Sequence, residues 1–176
     1  HGWLYHGSAR QPLIVEISMA CCLSILARNG LESNFVNKDV QYASISTKTD
    51  ELISNNDALL RGVSGQLPPS YEYDKIIDDI HFKEVCSIPN NATKVDVHDS
   101  YRCGSLNQNV IVMRGFVNDI KQKINIITDL NNDLVINLLH LVNNHMFQKI
   151  MEASDRTAQV AVELHNSSLN IMAAFY

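Results

Sequence analysis

The last third of the chain, Phe116 to Tyr176, contains neither glycine nor proline. Those two residues are the strongest helix breakers, so a stretch of this length without them has little alternative to helix. Its apolar residues recur at alternating steps of four and three: Met113, Val117, Ile120, Ile124, Ile127, Asn131, Leu134, Leu138, Leu141, His145. The mean spacing of 3.5, kept for more than four heptads, is that of a left-handed coiled-coil seam. These ten residues are therefore predicted to form an oligomer seam, with Asn131 as the polar residue that sets register. The ladder weakens beyond His145, through Met151, Ser154, Ala158, Ala161, His165, Leu169 and Met172.

Unbroken, residues 116–176 would run about 90 Å, far longer than a compact domain of this size, so partner helices would have to cover the stripe. Two places invite a break. Asp129 to Asp133 has poor helix propensity, and Ser154-Asp155 suits a new helix start. The spacing favours the long helix; a hairpin folded within one chain is the alternative.

The predicted fold is mainly α, a single domain over 1–176: short helices and loops to residue 105, then a long helix or helical hairpin over 106–176. The opening His1 to Gly7 is expected as an aromatic arm. Pro12 fits the first position of a helix to Asn29, with Gly30 as its stop. Val40, Tyr42 and Ile45 hint at a short strand, pairing in a small β-hairpin with Val95 and Val97. Thr47 to Arg61 reads as a helix with Asp50 at the third position. After the linker Ser64 to Ser70, Asp74 caps a helix to Cys86.

A formal net charge of -5 with scattered lysines and arginines excludes a dedicated nucleic-acid partner. No uncharged apolar run reaches the roughly 18–20 residues that span a bilayer; Pro12 to Ala27 comes nearest and carries Glu16. Membrane contact through it remains an expectation. Of the four cysteines, Cys86 and Cys103 flank a polar segment that a disulfide would close. Cys21 and Cys22 are expected as buried thiols. Sequons at Asn91 and Asn166 are candidate glycosylation sites. Together these point to a secreted or cell- or virion-surface location.

No chemistry stands out. There is no nucleophile elbow, phosphate loop or Cys-x-x-Cys, so no catalytic residue, metal or cofactor is assigned. His140 and His145, five apart, would diverge by about 140° on an α-helix and could not share a ligand. His145 lies on the ladder, where its protonation would matter to an assembly.

The predicted function is therefore non-enzymatic: a helical surface protein that forms a homo-oligomer through its C-terminal helix and contacts another protein chain or a receptor. Its layout resembles that of membrane-fusion glycoprotein subunits of viral type, with an apolar N-terminal segment, a disulfide loop, sequons and a long helix. The alternatives are a helical-bundle ligand-binding or sensor domain, and a helical pore-forming toxin.

Overall fold

The computed structural model describes residues 2–31, 37–86 and 100–174. Six α-helices make up most of it: α1 (Gly2–Arg28), α2 (Lys38–Arg61), α3 (Lys75–Phe82), α4 (Leu106–Lys123), α5 (Asp133–Leu141) and α6 (Phe147–Ala174). A π-helical turn, Val142–Met146, joins α5 to α6 without interruption. The protein is mainly α with a long C-terminal helix.

The first helix starts ten residues earlier than Pro12 suggests. Pro12 lies inside α1, on its solvent side, and Trp3 of the expected arm is buried with its Nε1 donating to the Pro68 carbonyl at 2.8 Å. An 18-residue window of α1 is apolar enough to cross a membrane by composition, where the run-length criterion found none; half of it is buried inside the protein. Its apolar residues Leu13, Ile14, Ile17, Cys21 and Ile25 face the core.

The strand expected at Val40 to Ile45 is helix. Asn37 caps α2, its side chain accepting from the Asp39 and Val40 amides, and Ile45 joins the core facing α1. Thr47, expected as the cap, sits mid-helix and bonds back to the Ala43 carbonyl. A short polar side chain can cap or back-bond, and Asn37, at φ -106° and ψ 124°, has the extended backbone of a cap. Among the described residues no strand forms, only an isolated bridge between Val63 and Leu67. Val95 and Val97, the other half of the expected hairpin, lie outside the described residues.

The C-terminal third breaks where its propensity is poorest. After α4 the chain turns: the Asp129 carboxylate accepts from the Asn131 amide, and the Asn132 side chain caps α5 through the Leu134 amide. Asn29 at the end of α1 pins this turn by donating to the Ile127 carbonyl at 3.0 Å. The helix continues unbroken through Ser154-Asp155.

Cross-helix contacts define the packing. Arg10 meets Asn56, Lys48 meets Glu16, Asn56 meets Asn107, and Lys121 meets Ser46. Gly7 meets Ser154. Successive long helices therefore run antiparallel, the up-down-up-down order of a four-helix bundle, with α5–α6 as the fourth member. Ladder residues supply much of its core: Met113, Val117 and Ile120 from α4, Ile124 and Ile127 from the turn, Leu138 and Leu141 from α5. Burying each such side chain stabilises the fold by roughly 1.5–3 kcal/mol.

Past Val160, α6 leaves the bundle. None of residues 161–173 is buried, and Val162, Leu164, Leu169, Ile171 and Met172 are exposed. At 1.5 Å per residue the projection is about 20 Å long.

Candidate functional site

A groove of about 950 Å³ lies between α2, α3 and α4. It exists because α3 is only eight residues long and fills the space between its longer neighbours incompletely. Ile53, Asn56, Asp57, Leu60 and Arg61 form the α2 wall; their spacing of three and four places them on one helical face. Asn107, Val110, Ile111 and Arg114 form the α4 wall by the same rule. The third wall is α3 with the turn before it, where Tyr71 and Phe82 meet edge to face at 5.3 Å.

Charge in the groove is mixed and largely uncommitted. Among the described residues, the side chains of Arg61, Arg114, Asp57 and Asp79 make no hydrogen bond or ion pair. Asp78 accepts from the Glu72 amide at 2.9 Å through one carboxylate oxygen, while the other is out of contact with solvent and unpaired. Burial raises the Asp78 pKa above the ordinary carboxylate value. Glu72 sits at φ 65°, the left-handed region that non-glycine residues rarely occupy. Its amide bond to Asp78 holds that conformation. Such strain is found where surrounding structure over-determines a residue, as at ligand sites.

Behind the groove lies a buried polar network. Arg10 is fully buried; its Nη1 donates to the Asn56 Oδ1 at 2.9 Å and to His81 Nε2 at 2.8 Å. His81 in turn donates from Nδ1 to the Ile77 carbonyl at 2.7 Å. Asn56 completes the link, donating to Asn107 Oδ1 at 3.1 Å on the groove floor. Desolvation lowers the Arg10 pKa to about 10, and burial together with the Arg10 charge lowers that of His81 to about 3. His81 is neutral at neutral pH. Arg10 Nη2 has no partner among the described residues.

A second polar cluster stands at the π turn. The rings of His140 and His145 are 5.5 Å apart, which corrects the expectation that they diverge. The π turn closes i→i+5 bonds, so residues five apart return to nearly the same face. The Tyr101 hydroxyl lies 3.0 Å from Asn137 Oδ1 and 3.3 Å from His140 Nδ1, and the His145 ring meets Tyr101 edge to face at 5.3 Å. Burial pushes the Tyr101 hydroxyl pKa up to about 12. Among the described residues no three His, Cys, Asp or Glu side chains are grouped closely enough to hold a metal ion.

The other predicted residues are placed as follows. Cys86 and Cys103 form a disulfide. Cys21 is buried, its thiol pushed up to about 12, chiefly by desolvation; Cys22 is half-buried. Asn166 is exposed on the projecting part of α6, and Asn91 lies outside the described residues. The predicted oligomer seam is not one continuous surface. Met113, Val117 and Ile120 belong to α4, Leu134, Leu138 and Leu141 to the antiparallel α5, and Asn131 is exposed in the turn between them. The antiparallel reversal makes the two halves of the ladder face one shared interior, and His145, also buried, closes it. Sequence reading missed the groove altogether, because its walls come from three segments that only the fold brings together.

The fold and site define a disulfide-linked helical bundle with a lateral groove. No family model, curated protein or solved structure matches the chain.

Proposed function

We propose that this protein is a non-enzymatic ligand-binding or sensor bundle whose recognition site is the groove between α2, α3 and α4. One observation carries the reading: a concavity of about 950 Å³, lined by charged side chains without internal partners and by an aromatic pair. Concave sites with an apolar lining and a few convergent polar groups are where small ligands bind. The disulfide fits an oxidising compartment, in keeping with a secreted or surface location, and Asn166 is accessible for glycosylation there.

The test is a fragment screen by ¹H–¹⁵N NMR on the oxidised full chain. Shifts clustering at Leu60, Phe82 and Ile111 are the expected result. A screen in which hits scatter over the surface, or avoid these residues, overturns the reading.

A second reading concerns the projecting half of α6. Its exposed Val162, Leu169 and Met172 continue the apolar stripe past the bundle, which supports self-association through the C-terminal helix. Solution mass decides this: association abolished by Val162→Asp with Leu169→Asp supports it, and a monomeric native chain at high concentration removes it.

A further inference from the structure

The groove has a polarity along its length. Lys121 bonds to Ser46, and Asn56 donates to Asn107 at 3.1 Å, so α4 and α2 are locked antiparallel. Midway between those contacts, Arg114 stands level with residue 51 of α2. Arg61 lies ten residues further along α2, about 15 Å away.

The two ends differ chemically. At the Arg114 end the neighbouring lining is apolar, Ile53 and Ile111. At the other end the lining is rich in carboxylate. Asp57 is one turn before Arg61, and the turn carrying Glu72 is tied to α2 through the Tyr71 amide and the Leu60 carbonyl at 3.3 Å. Asp78, bonded to the Glu72 amide, holds its unpaired, water-excluded oxygen at this end. A cation at one end and, at the other, the carboxylates of Asp57, Glu72 and Asp78 outnumbering the one cation Arg61 match a ligand that is anionic at one terminus and cationic at the other. An aromatic pair lies between.

We propose that the groove takes a short unblocked peptide of three or four residues. Its carboxylate meets the Arg114 guanidinium, its ammonium meets Asp78 and Glu72, and an apolar or aromatic side chain packs on Tyr71 and Phe82. This rests on the groove being the recognition site. Length decides for a peptide over a single amino acid: at about 3.3–3.6 Å per residue, three or four extended residues span roughly 10–14 Å, most of the about 15 Å between the levels of Arg114 and Arg61. A single zwitterion reaches one end only. The guanidinium–carboxylate contact is of the strong, charge-assisted kind.

The experiment titrates the oxidised protein with the tetrapeptide Ala-Ala-Phe-Ala in three forms, free, C-terminally amidated and N-terminally acetylated, by calorimetry and ¹H–¹⁵N NMR. The free form is expected to bind with shifts confined to α2, α3 and α4. Each blocked form should bind roughly tenfold more weakly, the usual scale for one charged hydrogen bond. In Arg114→Gln the effect of amidation should vanish while that of acetylation persists; in Asp78→Asn the reverse. Blocked and free peptides binding alike overturns the proposal. So does a free peptide that leaves the groove unperturbed. In that second case uncharged aromatic fragments separate the two readings: fragment shifts in the groove leave the site standing without peptides as its ligand class, and their absence removes both.

Discussion

Arg10 Nη1 sits 2.8 Å from His81 Nε2 in the middle of the bundle, a guanidinium facing a neutral imidazole with no carboxylate among the described residues bonded to either. Buried charges are normally paired. Here the compensation is made of dipoles: the Asn56 amide oxygen, the His81 lone pair and the Gly7 carbonyl at 3.4 Å. The arrangement requires His81 to stay unprotonated.

Stability should therefore fall on mild acidification. The folded protein resists protonating His81 until about pH 3, whereas an unfolded histidine takes a proton near 6.5. Between those values the unfolded state binds more protons, so stability is complete above 6.5 and drains away toward pH 3, at up to about 1.4 kcal/mol per pH unit. His81→Gln keeps an acceptor for Arg10 and does not titrate. Urea unfolding at pH 7 and pH 5 should show the native loss of stability much reduced in that variant; equal losses in both proteins would contradict the assignment.

Gly62 should tolerate no side chain. It ends α2 at φ 75° and ψ -178°, a region essentially closed to other residues. A Cβ there would meet the Leu67 carbonyl at 2.3 Å and the Pro69 nitrogen at 2.7 Å, both backbone. Gly62→Ala is expected to destabilise by about 3 kcal/mol. Gly65, at φ 72° but with open space around it, should lose only about 1 kcal/mol to alanine. Thermal unfolding of the two variants side by side reads the difference.

Asp74 performs two tasks that substitution can separate. Its Oδ1 accepts from the Ile76 and Ile77 amides at 3.0 Å and caps α3, while Oδ2 meets Arg156 of α6 at 2.6 Å. The Arg156 bond, with help from the cap, holds its pKa below the ordinary value. That contribution is present above about pH 4 and lost as pH falls below it. Asp74→Ala should cost about 1 kcal/mol from the cap alone. Asp74→Asn keeps the cap and should remove only the acid-sensitive part, visible as a flatter stability profile between pH 5 and pH 3.

Reducing the Cys86–Cys103 disulfide releases a 17-residue span. Loop-closure entropy puts the loss near 3 kcal/mol. Most of the bundle core lies outside that span, although Tyr101 within it joins the core, so far-ultraviolet circular dichroism should remain helical in Cys86→Ser with Cys103→Ser while the urea midpoint drops. Collapse of the helical signal would mean that the disulfide holds more than its own loop.

Local chemistry was legible wherever it was complete within a few residues. Asp74 announced α3 and the cysteine spacing announced the disulfide; the Asp-Leu-Asn-Asn-Asp run at Asp129 to Asp133 offers the reversal between α4 and α5, but the ladder spacing favours an unbroken helix there, and the structure overturns it. The ladder marked buried residues correctly but not what buries them: an a/d stripe looks the same whether it faces another chain or its own antiparallel neighbour. Pro12 misled because proline is tolerated inside a helix when its ring points to solvent and packing outweighs the missing bond, as the burial of Trp3, Leu13 and Ile14 shows. Asn37 and Thr47 were both plausible caps, and only tertiary contact from Ile45 to α1 chose between them. The groove left no local trace, since Arg61, Asp78 and Arg114 are unremarkable surface charges until three helices converge.

The π turn at Val142–Met146 has a mechanical consequence. It is equivalent to one surplus residue in an otherwise continuous rod running from Asp133 to Ala174. Each residue of an α-helix advances the phase by 100°, so absorbing or shedding that surplus re-indexes everything beyond it by the same angle. Ile150, Ala153, Thr157 and Val160 of α6 face the bundle interior only with that surplus in place; deleting one residue from the turn would rotate all four out of the core.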